Sequence, residues 1–78
     1  MDTIESLYSD RDYCFKEIHH IREAIGTTKA TQETFDAAIR SLGFMKIYAP
    51  ADISFLVDMQ ISETETRLTY FLLRGNGA

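Results

Sequence analysis

The sequence predicts an all-α chain, folded as an antiparallel helical hairpin or a three-helix bundle. Three observations carry this expectation. Over 53–74, Ile53, Val57, Ile61, Thr64, Leu68 and Phe71 recur at steps of three and four, the spacing of one face of a helix. Over 3–25, Ile4, Leu7, Arg11, Cys14, Ile18, Ile21 and Ile25 step by three and four as well, an a/d seam sustained over three heptads. The 78 residues include one proline and four glycines, too few turn signals for an all-β domain of this length. A chain this short makes a single domain, 1–78, near the lower limit for a self-sufficient core.

The first helix is expected over about 3–25. Asp2 followed by Glu5 fits a capping box, in which the Asp carboxylate accepts from orphan amides and the Glu reaches back. Tyr8 and Phe15 widen the seam on one side, and Gly26 ends the helix as its C′ residue. Arg11 is the misfit in the seam. Its stem can pack while the guanidinium reaches water, or it can set register by pairing with an acidic partner; the first reading is preferred.

Residues 27–31 form a polar connector, short enough to turn the next helix antiparallel to the first. Thr28 or Thr31 can cap the second helix, expected over 32–47, with Gln32 and Glu33 in the first turn, where the helix dipole favours negative charge. Phe35, Ala38, Ile39 and Leu42 make its buried stripe. Gly43 either terminates this helix or is tolerated inside it at about 1 kcal/mol relative to Ala. Continuation is favoured, because Phe44, Met45, Ile47 and Tyr48 supply apolar surface that must pack.

Pro50 then breaks the chain, since proline disfavours helical geometry at the residue before it. Asp52 is a good N-cap for the third helix, expected over 52–74. A strand at 53–61 is the competing reading, because Ser54, Asp58 and Gln60 partly alternate with apolar residues. Against it, the residues that follow hold no Gly, Asn or Pro to turn a hairpin, and Glu63 and Arg67 make a favourable i,i+4 pair. Residues 75–78 read as a helix stop and a frayed end.

Composition narrows the function classes. Apolar residues make up 45% of the chain, which argues against intrinsic disorder. Net charge is −4 and the eight Lys and Arg residues are scattered, so neither a nucleic-acid backbone nor an anionic membrane surface is an expected partner. No apolar run approaches the roughly 20 residues that span a bilayer. The acidic start, without a basic or apolar leader, and the lone Cys14 point to a cytoplasmic protein.

No chemistry stands out. His19 and His20 are adjacent and point about 100° apart on a helix, so they cannot grip one metal ion together. Cys14 on the apolar seam reads as a small core filler rather than a nucleophile. Asp10, Asp12, Glu17 and Glu23 solvate one face of the first helix, and the isolated glycines form no phosphate loop. The reading is therefore no enzyme, no cofactor, no metal and no small-molecule substrate.

The consecutive Tyr70, Phe71, Leu72 and Leu73 point all round a helix, more apolar surface than one stripe accounts for. The first helix could cover them, with Ile4, Leu7 and Tyr8 lying close if the first and third helices ran antiparallel. The preferred reading leaves part of the cluster for a partner protein, since large apolar patches rarely stay exposed on monomers. Tyr70, Phe71, Leu72, Leu73, Leu68, Ile4, Leu7, Tyr8 and Arg11 are the candidate partner-binding residues.

The segment 61–74, with Ile61, Glu63, Glu65, Arg67 and then Leu68, Tyr70, Phe71, Leu72, Leu73 and Arg74, lies about ten residues after Pro50. It resembles the C-terminal helix of the small needle co-chaperones of type III secretion systems, which are acidic, helical proteins. The resemblance covers some 15 residues and implies a bacterial cytoplasmic protein that pairs with a tetratricopeptide-like chaperone to hold a needle subunit unpolymerised. The apolar stretch before Pro50 departs from the simple hairpin of that family. The sequence thus predicts a protein-binding co-chaperone or adaptor in a hetero-complex. The alternatives are a self-associating homodimer built on the first-helix seam, and a phage- or plasmid-type regulator that inhibits an enzyme or nucleic-acid-binding protein.

Overall fold

The computed structural model describes residues 3–75, and all its regular elements are helical. They are α1 (Ile4–Tyr8), α2 (Arg11–Ile25), α3 (Gln32–Tyr48), a 3-10 turn (Ala51–Ile53) and α4 (Ser54–Gly75). The fold is all-α: α2, α3 and α4 make an up-down-up bundle, and α1 packs on α2 and α3.

The expected first helix is two helices. Asp10 accounts for the break: its Oδ1 accepts from the amides of Asp12 at 2.9 Å and Tyr13 at 3.3 Å, capping a new N-terminus. A short acidic side chain competes with the helical backbone in this way wherever a cap geometry is within reach. Thr3 caps α1, with its Oγ1 accepting from the Ser6 amide at 3.0 Å. Asp2, the expected cap, lies outside the described residues.

The break turns Tyr8 inward. Its ring stacks on Phe44 with centroids 5.5 Å apart and meets Tyr13 edge-on at 5.3 Å, and its hydroxyl shares a hydrogen bond with Ser41 at 3.1 Å. From Cys14 onward the heptad seam holds: Cys14, Ile21 and Ile25 are buried and Ile18 is half-buried. Before Cys14 it does not, for Ile4 in α1 and Arg11 at the start of α2 are exposed. From Cys14 on, the seam faces the chain's own core.

Gly26 caps α2 at φ −88°, in the right-handed region rather than the left-handed one expected of a C′ glycine. Its reason is space: a Cβ there would sit 3.1 Å from the Arg22 carbonyl oxygen. Thr31 starts α3 through a reciprocal capping box with Thr34. The helix runs straight through Gly43, where a Cβ would meet nothing within 4 Å. Its buried stripe is Phe35, Ala38, Leu42 and Met45, while Ile39, expected in that stripe, is exposed.

Pro50 leads into the 3-10 turn, and Asp52 sits inside that turn instead of capping α4. The Asp52 carboxylate accepts from Arg11 Nη2 at 2.7 Å. This pair joins the start of α2 to the start of α4, while Ile25 and Phe71 lie together near their ends. Helices α2 and α4 are therefore parallel, and α3 runs antiparallel to both.

Helix α4 packs chiefly on α3 and buries Ile53 (in the preceding turn), Val57, Gln60 and Thr64. Gln60 interrupts the apolar stripe expected from sequence, and Ile61 is only half-buried. Gln60 tolerates burial because its amide donates to Thr64 Oγ1 at 3.3 Å and to Glu63 Oε2 at 3.4 Å. Among the described residues no buried side-chain nitrogen or oxygen lacks a partner.

Candidate functional site

Opposite the buried stripe, α4 carries a second one. Phe55, Met59, Ser62, Thr66, Thr69 and Leu73 step by four and three along the helix, with Tyr70 beside Thr69, and all are exposed. Phe55 is 59% exposed, Met59 63%, Tyr70 62% and Leu73 71%. No member of this stripe is charged. The charges of α4 lie beside this stripe: Asp58 pairs with Lys46 of α3, Glu63 pairs with Arg67 at 3.9 Å toward α2, and Glu65 and Arg74 are exposed. A solvated helix face ordinarily carries the charges, with the apolar residues turned inward. Here large apolar side chains mark both ends of the outer face and hydroxyls fill its middle.

The two apolar ends differ in their surroundings. At the α3–α4 turn, Ile47 is 70% exposed beside a flank whose Lys46 and Asp58 are already paired. At the far end, the loop between α2 and α3 and the last turns of α4 enclose an open cleft of about 530 Å³. Ile25 and Phe35 form its floor with Phe71, whose ring lies 5.2 Å from that of Phe35. Tyr70, Arg67 and Arg74 stand around it.

The nine candidate residues fall into two groups. Tyr70, Leu72 and Leu73 are exposed at the far end; Leu68 and Phe71 are half-buried beneath them. Ile4, Leu7, Tyr8 and Arg11 lie at the opposite end, beside Phe44 and Asp52. From Asp52 to Phe71 the chain climbs roughly 28 Å at about 1.5 Å per residue. The alternative in which Ile4, Leu7 and Tyr8 cover the Tyr70–Leu73 cluster is therefore excluded, because α2 and α4 are parallel. The end of α2 and the start of α3 do the covering instead.

Tyr8 is also corrected: at 7% exposure it is core, not docking surface. Arg11 keeps its head in water, 52% exposed, and its acidic partner is the chain's own Asp52. Sequence reasoning missed Phe55 and Met59. The signal was present in the four-three spacing that leads from them to Leu73, on the face opposite Ile53 and Val57.

Cys14 is fully buried and its Sγ donates to the Tyr8 carbonyl at 3.0 Å. Burial, and then the carboxylates of Asp10 and Glu17, push its thiol above the ordinary range, which disfavours the nucleophilic thiolate. Tyr13 is pushed up to about 12, first by burial and then by the Glu17 carboxylate, to which its hydroxyl donates at 3.2 Å. Among the described residues no group of His, Cys, Asp and Glu could hold a metal ion, and no helix is long and apolar enough to cross a membrane.

In comparisons with known proteins, the chain matches no family model, no curated protein and no solved structure.

Proposed function

We propose that this chain is a non-catalytic protein-binding module, a small cytoplasmic co-chaperone or adaptor that stabilises a partner protein by covering one of its helices. The observation that carries the reading is the uncharged outer face of α4, from Phe55 through Met59 to Tyr70 and Leu73. A helix laid along such a face finds apolar anchors at either end and hydroxyls between them, the helix-in-groove mode of recognition. The partner is held in its bound form by mass action. The likeness of 61–74 to the needle co-chaperones of type III secretion supports a secreted subunit or its chaperone as the partner, and Tyr70, Leu72 and Leu73 of that segment lie on the exposed side of α4.

Capture from the native source with Met59→Asp and Leu73→Asp alongside the parent chain tests this. The parent is expected to retain one protein reproducibly, and both variants to lose it while keeping their helical circular dichroism. Undiminished capture of that same protein by both variants would overturn the assignment of the face.

A further inference from the structure

We infer that the cleft at the far end of the bundle seats a bulky apolar side chain of the partner segment and pairs the carboxylates beside it with Arg67 and Arg74. The inference rests on the protein-binding reading and names the chemistry of what binds. Charge is its first support. The chain has twelve acidic residues against eight Lys and Arg, yet among the described residues the cleft is lined by two arginines and no carboxylate. Among the described residues Arg74 has no carboxylate within ion-pair distance, and Arg67 meets only Glu63, at 3.9 Å.

The floor is the second support. Ile25 and Phe35 are buried, and the Phe35–Phe71 ring pair lines the same cleft as the two arginines. At about 530 Å³ the cleft has room for one or two large side chains, within the size range of ordinary ligand pockets. Arginine suits the rim because its planar, weakly hydrated head can grip a carboxylate through two parallel hydrogen bonds next to apolar surface.

Continuity is the third. Tyr70 belongs both to the cleft and to the outer face of α4, so a helix lying along that face reaches the arginines at its end. At the other end, Lys46 and Asp58 already satisfy one another and select no charge. Affinity thus comes from the whole face, and the sign of the partner's charge is read in the cleft.

Nuclear magnetic resonance titration of the isotopically labelled chain tests the cleft alone. The probe is a blocked hexapeptide with a central Leu-Phe pair flanked by glutamates; the comparisons are the same peptide with lysine for glutamate, and free octanoate. The acidic peptide is expected to move the amides of Thr28, Ala30, Tyr70 and Phe71. Its affinity should fall about three- to fivefold in Arg67→Gln and in Arg74→Gln, the scale of one exposed ion pair, and Arg67→Lys should restore the preference for acid. The lysine peptide should bind about tenfold more weakly. Equal binding of both peptides, unchanged affinity in the Gln variants, or a response to octanoate alone would overturn the inference. Met59→Asp lies away from the cleft and separates the two proposals: it should lose the captured protein yet bind the hexapeptide as the parent chain does.

Discussion

Two methionines provide a matched test of which faces of the bundle are inside. Met45 on α3 is 1% exposed and Met59 on α4 is 63% exposed. Replacing each by alanine removes the same atoms from a helix interior, and alanine is the better helix former, so propensity works slightly in favour of both variants. At Met45 the removed atoms leave a hole in the buried core, and a buried Met→Ala change costs about 2–5 kcal/mol. At Met59 most of the side chain is already in water, so the change should stay within about 0.5 kcal/mol. Typical stability per residue gives a domain of 78 residues roughly 4–12 kcal/mol in total, so Met45→Ala removes a large share of it. Urea denaturation followed by helical circular dichroism, at low micromolar concentration to avoid self-association, measures both. Equal losses at the two positions, or a loss above about 2 kcal/mol at Met59, would show that the outer face of α4 is covered by the chain itself.

Other substitutions probe the local physics. Gly43→Ala should stabilise the chain by about 0.5–1 kcal/mol in the same assay, because the position is helical, exposed and open around a Cβ. Asp10→Ala should cost about 1 kcal/mol through loss of the two amide contacts that start α2, and Asp10→Asn should retain most of the cap. Tyr13 ionises near 10 in the unfolded chain and near 12 in the folded one, so the unfolded chain loses its proton first and stability falls as pH rises through that window. Denaturation at pH 8 and pH 11 should show a smaller decline in Tyr13→Phe than in the parent. A double-mutant cycle on Arg11 and Asp52, both more than half exposed, should return below about 1 kcal/mol and shrink in high salt.

The fold was legible where periodicity and capping agreed. The step pattern of 53–74 located the buried face of α4, and the chain continued through Gly43 because Met45 and Tyr48 beyond it needed packing. Elsewhere a local interaction outweighed the period. Asp10 captured two amides and broke the first helix, although the seam passed unbroken through it in sequence. Gln60 entered the core because Thr64 lay one turn away to receive its amide, a compensation that a hydrophobic pattern cannot register. The candidate site was half legible. Tyr70, Leu72 and Leu73 announced themselves as surplus apolar residues in a run. Phe55 and Met59 did not, because the buried stripe explained their neighbourhood before the opposite face was counted. Pairing Ile4, Leu7 and Tyr8 with the cluster failed on chain direction, which side-chain pattern alone does not encode.

The most direct measurement follows the methyl resonances of Met45 and Met59 in the presence of a soluble paramagnetic agent, first in the free chain and then in complex with the protein that it captures. In the free chain Met59 should broaden strongly while Met45 stays sharp, and in the complex Met59 should become as protected as Met45. A Met59 methyl that remains open to the agent in the complex would contradict the assignment of α4's outer face as the place where the partner binds.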